Sequence, residues 1–231
     1  DIEGDSQVYS AGYDHPWWLG PEWLLRAGGG YMWQAAETTV EGESLSDTDT
    51  GEAFLSGTVE YRGSPWYVRY DQRVRLASAD NDISGESGDY TLLAGSGLLN
   101  RAIGEDWGFN ARLQWQYASD PAKLPASLYF QLGGIASVRG YDPGVISAPR
   151  GVATNLEFSR RFAGRWQVFA FYDYGLATEL GTRDVDLQGA GLGLNVDWNR
   201  HFSASLVAAS ALKDVVPDQD SGQVLLQVIV R

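Results

Sequence analysis

Residues 128–162 read LYFQLGGIASVRGYDPGVISAPRGVATNLEFSRRF. The stretch joins a β-type segment, the glycine pair Gly133 and Gly134, a loop centred on Val138, Arg139, Gly140 and Tyr141, and a second segment that alternates in polarity. An arginine set among small residues is costly to bury unless a carboxylate is fixed beside it. The loop therefore predicts an acidic partner elsewhere in the chain. In the second segment Ala153, Asn155, Glu157 and Ser159 alternate with Val152, Thr154, Leu156 and Phe158, which puts Glu157 on the polar face. From there it either shares Arg139 or faces Arg112.

The same period of two recurs along the chain. In 165–177, RWQVFAFYDYGLA, the residues Val168, Ala170, Tyr172 and Tyr174 form a face suited to lipid, and Asp173 lies opposite with Gln167, Phe169 and Phe171. Phe109, Ala111, Leu113, Trp115 and Tyr117 oppose Asn110, Arg112, Gln114 and Gln116. At the end of the chain Val224, Leu226, Val228 and Val230 oppose Gln223, Gln227 and Arg231. Arg69, Asp71, Arg73 and Arg75 crowd one face of a segment whose other face is Val68, Tyr70, Val74 and Leu76. A dry sandwich core cannot take four such charges, whereas a water-filled lumen can. The pattern predicts an all-β fold, a transmembrane antiparallel β-barrel of about twelve strands. The strands fall near 7–14, 22–36, 52–63, 66–78, 89–102, 107–119, 127–134, 150–162, 165–177, 187–198, 202–212 and 222–231. An even count returns both ends of the sheet to one side of the membrane.

Composition points the same way. The 231 residues include 28 glycines, 12 tyrosines and 9 tryptophans but no cysteine, so there are no disulfides and no thiolate metal site. A mean hydropathy of -0.25 is uninformative, because a barrel strand averages lipid-facing with lumen-facing residues. No apolar run is long enough for a membrane helix. Trp17, Trp18, Trp23, Trp33, Trp66, Trp107, Trp166 and Trp198 stand near strand ends, as two interfacial girdles require. The net charge of -13 argues against a nucleic-acid partner. Its acidic groups concentrate at 37–52, 80–89, 184–186 and 214–220, which read as solvated turns; bridging of divalent cations or of lipopolysaccharide is the alternative. Outer-membrane lipid is the other expected partner.

Catalytic and cofactor readings find little support. His15 and His201 are the only histidines and neither sits in a metal-spaced motif; Ser203 and Ser205 beside His201 follow the strand period as lumen residues. The expectation is no catalytic residue, no metal and no cofactor. The glycines at 189, 191 and 193 alternate within a strand and offer a smooth inner surface that a folded-in loop can approach.

With VRGY at 138–141 and F-x-D-x-G at Phe171–Gly175, the chain resembles the outer-membrane superfamily of BamA-like assembly factors and two-partner-secretion (TpsB) transporters. The resemblance implies an outer-membrane location and work in inserting proteins into that membrane or moving them across it. It also implies that the VRGY loop folds inward, that Asp173 holds Arg139 inside the barrel and that the loop gates the lumen. Gly133, Gly134 and Gly175 are expected to be hinges, and an unfolded or secreted client protein to be the partner. A passive channel or structural barrel is the alternative, as is a homodimer joined through the seam between 7–14 and 223–231. The periplasmic POTRA domains common in these relatives have no counterpart, so 1–231 is expected to be one barrel domain, either trimmed or a short form without them. No signal peptide is visible. Where relatives carry G-D-x-G after the loop, this chain has Ile146–Gly151. An outward VRGY loop in a twelve-strand reading puts the acidic connections 41–51 and 79–88 on the periplasmic side, where barrels keep turns short.

Overall fold

Unbroken alternation over so much of the chain leaves its strands one way to satisfy their backbones, which is to pair with their sequence neighbours. The structure, a computed structural model, describes residues 2–40, 43–81, 86–178, 184–199, 201–215 and 222–230. Its strands are β1 (Ile2–Leu19), β2 (Trp23–Val40), β3 (Glu43–Gly63), β4 (Trp66–Asn81), β5 (Glu86–Ile103), β6 (Trp107–Ala118), β7 (Phe130–Leu132), β8 (Ile146–Ala148), β9 (Arg150–Phe162), β10 (Trp166–Thr178), β11 (Asp184–Asn199), β12 (Phe202–Ala211) and β13 (Gly222–Val230). Eleven of them form one antiparallel sheet in the order β1-β2-β3-β4-β5-β6-β9-β10-β11-β12-β13, while β7 and β8 pair only with each other. Among the described residues no helix is long and apolar enough to cross a membrane.

The register separates two faces. Across β3, β4, β5 and β6 the row Thr58, Asp71, Ser96, Gln114 runs inward, and Val59, Tyr70, Gly97 and Leu113 run outward beside it. Leu192 and Leu226, on the outward side of β11 and β13, are 66% and 70% exposed. A row of such side chains is unfavourable in water and favourable against acyl chains. Several inward charges are paired: Arg69 Nε lies 2.7 Å from Asp71, and Asp71 also accepts from the Thr58 hydroxyl at 2.7 Å. Arg75 faces Glu52 at 3.6 Å, and the buried Glu60 is paired with Arg62.

Several expectations are corrected. The segment 127–134 is not a barrel strand: Pro121 and Pro125 precede it, a 3₁₀ turn occupies Ala126–Leu128, and only the three residues of β7 are extended. The sheet therefore has eleven strands, an odd number, and β1 and β13 run in the same direction, so the two ends of the sheet do not lie on one side. The first strand is not short. β1 pairs with β2 along almost all of its 18 residues, with one bulge between Pro16 and Trp18. Nor are 43–52 and 86–89 turns; they are the outer ends of long strands. Residues 1, 41–42, 82–85, 179–183, 200, 216–221 and 231 lie outside the described residues, and with them Arg231 and parts of the acidic runs 37–52, 80–89 and 214–220.

Losing one strand also settles the sidedness conflict. The connections 41–42, 82–85, 119–149, 179–183 and 212–221 now share one end of the sheet, with the VRGY loop among them. The opposite end has only the spans 20–22, 64–65, 104–106, 163–165 and 200–201. With VRGY outward, the acidic hairpins are outward too and the periplasmic turns are short, as bilayer insertion favours. The tryptophans are more one-sided than two girdles imply. Trp17, Trp18, Trp23, Trp66, Trp107, Trp166 and Trp198 stand at the short-turn end, leaving Trp33 and Trp115 toward the other.

The two faces are expected to answer differently to charge. Leu192→Arg, outward and near the middle of β11, should lower unfolding stability in phospholipid vesicles by about 2–4 kcal/mol, whereas the inward Gln114→Arg should change it little. Urea titration of the refolded protein measures both, and equal losses would contradict the assignment of faces.

Candidate functional site

The 119–149 connection turns back onto the inner face of β9–β12. Gly133 and Gly134 take φ of +103° and +80°, and the Ser137 hydroxyl caps the turn, accepting from the Gly133 N–H at 2.8 Å and donating to its carbonyl at 3.0 Å. Gly140 is at φ +94°, and a Cβ there would stand 2.6 Å from the Ala211 nitrogen. Left-handed backbone and close approach together require glycine. Beneath the loop Leu132, Val138, Tyr141, Ile146, Ala148, Ala153, Ala177 and Leu187 form a buried apolar cluster.

Arg139 leaves this cluster at its polar edge and is 6% exposed. Its Nε and Nη2 donate to the two oxygens of Asp173, each at 2.7 Å, and its backbone N–H donates to Asp173 Oδ2 at 3.0 Å. Nη1 donates to Glu157 Oε1 at 2.6 Å, so Glu157 takes the Arg139 alternative rather than Arg112. The guanidinium carbon sits 3.6 Å from the centroid of the Phe171 ring, which completes the enclosure with a π face. Period two explains why these three converge: Phe171 and Asp173 are successive inward residues of β10, and Glu157 pairs with Phe171 across β9. Asp173 is fully buried, and with Arg139 it forms a bidentate, charge-assisted pair.

Other contacts position the loop tip. Tyr141 Oη lies 2.9 Å from the Gln188 carbonyl and 2.8 Å from the Lys213 carbonyl, between which its one proton is shared. The Asn155 amide donates to the Ser137 carbonyl, and Gln223 Nε2 donates to Asp142 at 3.0 Å, which ties the loop to β13. A Cβ on Gly189 would overlap the Arg139 carbonyl oxygen. Gly175 is not a hinge: it lies within β10, where a Cβ would meet Val138 at 2.8 Å and Leu132 at 2.9 Å, so its role is clearance for the loop. Ile146–Ala148, in the stretch that departs from the relatives' G-D-x-G, forms β8 and pairs with β7. Asn155, Ser137, Gln188 and Lys213 were missed from sequence. Asn155 alone carried a signal, being inward and two residues from Glu157. Among the described residues no group of His, Asp and Glu is placed to hold a metal ion.

The profile of the family described as "Haemolysin secretion/activation protein ShlB/FhaC/HecB" matches residues 37–196, a span that includes the loop, Asp173 and Glu157. The chain belongs to this family. No curated protein sequence matches it. Among solved structures it is similar to CdiB from Acinetobacter baumannii, with TM-score 0.76 and 16% identity over 99% of this chain and 42% of that one. CdiB from Escherichia coli gives TM-score 0.75 and 19% identity over 99% and 46%. The chain thus spans less than half the length of either CdiB structure. These matches place it with outer-membrane β-barrels of the TpsB type, a family of transporters rather than enzymes.

Removing one partner from the Arg139 clamp leaves the other charge buried. Arg139→Ala and Asp173→Ala should each cost about 3–5 kcal/mol, less where lumen water reaches the site. The double variant should cost about as much as either single one. Thermal unfolding in detergent, followed by gel mobility, reads the cycle, and full additivity would show that the two side chains do not act together.

Proposed function

We propose that this chain forms the wall and plug of an outer-membrane pore through which a secreted client polypeptide crosses, with the 119–149 loop as the movable element. The observation that carries the reading is the enclosure of Arg139 by Asp173, Glu157 and Phe171. It gives the loop one well-defined docked position against β9–β12. The bonds are polar and few, so a client or water entering from the short-turn end can replace them. The apolar cluster around Leu132 and Val138 returns the loop to its seat afterwards. No chemical step is needed, since transport requires only a path and its closure.

The passive-channel alternative predicts different behaviour. A barrel with its loop docked should pass few ions, so frequent large openings without client, in planar bilayers, would favour that alternative. Under the transport reading, Arg139→Ala raises the frequency of openings and lowers appearance of a co-expressed client in the medium. Tethering the loop through Ser137→Cys and Asn155→Cys with a short bifunctional maleimide should abolish export while leaving the fold intact. Export that persists at full rate with the tether in place would rule out loop movement as the gate.

A further inference from the structure

At the short-turn end of the outward face, arginine and tryptophan alternate across neighbouring strands. Trp66 of β4 pairs with Arg101 of β5, and Trp107 of β6 pairs with Arg160 of β9. The Arg101 guanidinium carbon lies 4.5 Å from the Trp66 ring centroid, and that of Arg160 lies 5.1 Å from the Trp107 ring. Both arginines are exposed, and among the described residues neither is ion-paired. A guanidinium held over an indole keeps its N–H edge free to bind a planar or tetrahedral anion.

The surroundings select the anion. Two strand spacings, about 10 Å, separate the backbones of β5 and β9. Phe109 lies between them, with Phe158 stacked on Trp107 at 5.0 Å between centroids. This apolar strip continues toward the middle of the sheet through Leu156 and Leu113. Glu105 and Asp106 belong to the adjacent turn, and the exposed Arg165 of the next turn is a further cation. A soluble anion would have no use for the strip, whereas a phosphate joined to acyl chains matches both of its parts. Indole belts sit at headgroup depth, which brings the two arginines level with lipid phosphates.

We propose that Arg101 and Arg160, each seated on its tryptophan, bind the phosphodiester of an anionic phospholipid in the leaflet that meets the short turns. The site rests on the outward face being in lipid, and its occupant anchors the β4–β9 part of the sheet at a fixed depth.

The test uses the refolded chain in phosphatidylcholine bilayers doped with dibrominated phosphatidylglycerol or dibrominated phosphatidylcholine, with tryptophan quenching as the readout. Phosphatidylglycerol should be preferred about fivefold, the factor that one arginine contributes at an anionic surface. The double variant Arg101→Gln/Arg160→Gln should lose the preference, and the inward Arg112→Gln should keep it. Equal quenching by the two lipids in the unaltered protein, or a preference that survives the double variant, would overturn the site. Relief of phosphatidylglycerol quenching by millimolar glycerol 3-phosphate would overturn the lipid as occupant in favour of a free anion. Quenching by both lipids still reports that the face is in lipid, so failure of the headgroup preference is distinct from failure of the membrane reading.

Discussion

The Arg139 guanidinium is a charge taken out of bulk water, and the surrounding arrangement compensates for that. Four donated hydrogen bonds, counting its own backbone N–H, go to two carboxylates, and Phe171 covers the flat face. A buried pair of this quality need not add much net stability, but it penalises every arrangement in which one charge is left alone. Its effect is selection of a single loop position. Gly140, Gly175 and Gly189 follow from that position, because each stands where the loop passes too close for a side chain. On the inner surface of β11 only Gly189 meets the loop; Gly191 and Gly193 make room for the Phe171 and Phe169 rings of β10.

The wall is built to carry charge inward and hydrocarbon outward. On the inward face of β4, Asp71 lies between Arg69 and Arg73 and pairs with Arg69, and Glu52 and Glu60 of β3 supply further partners for Arg75 and Arg69. Outward residues stay apolar over most of each strand. The two ends differ. The loop end is acidic and its strands run well past the bilayer, whereas the short-turn end gathers tryptophan and arginine at one level. Indole and guanidinium both favour the headgroup layer, so this end fixes the depth of the sheet and the other is free to extend.

Most of the architecture was legible because period two is a local property. Which residues face lipid, that Asp173 and Glu157 face inward, and that Arg139 needs a carboxylate all follow from spacing and from the cost of burying charge. The segment 127–134 misled for a physical reason. Tyr129, Phe130 and Leu132 have strand-forming side chains, yet the prolines before them and the glycines after them leave room for only three extended residues. Reading that segment as a strand reverses the direction of every strand preceding the loop, which is the source of the sidedness conflict. The acidic stretches misled differently: charge suggested turns, but paired strands outside a bilayer tolerate acids on either face.

The amino-acid sequence by itself determined that this is a sheet with one greasy and one wet side, since alternation depends only on adjacent residues. It also determined that a lone arginine within the inward loop must find an anion. Only the tertiary structure decided that Asp173 and Glu157 share that arginine under Phe171, that Tyr141 is held by the carbonyls of Gln188 and Lys213, and that β13 touches the loop through Gln223. Those contacts join residues 18 to 81 positions apart, and they depend on strand order and on how far the loop folds inward. No local pattern encodes either of these.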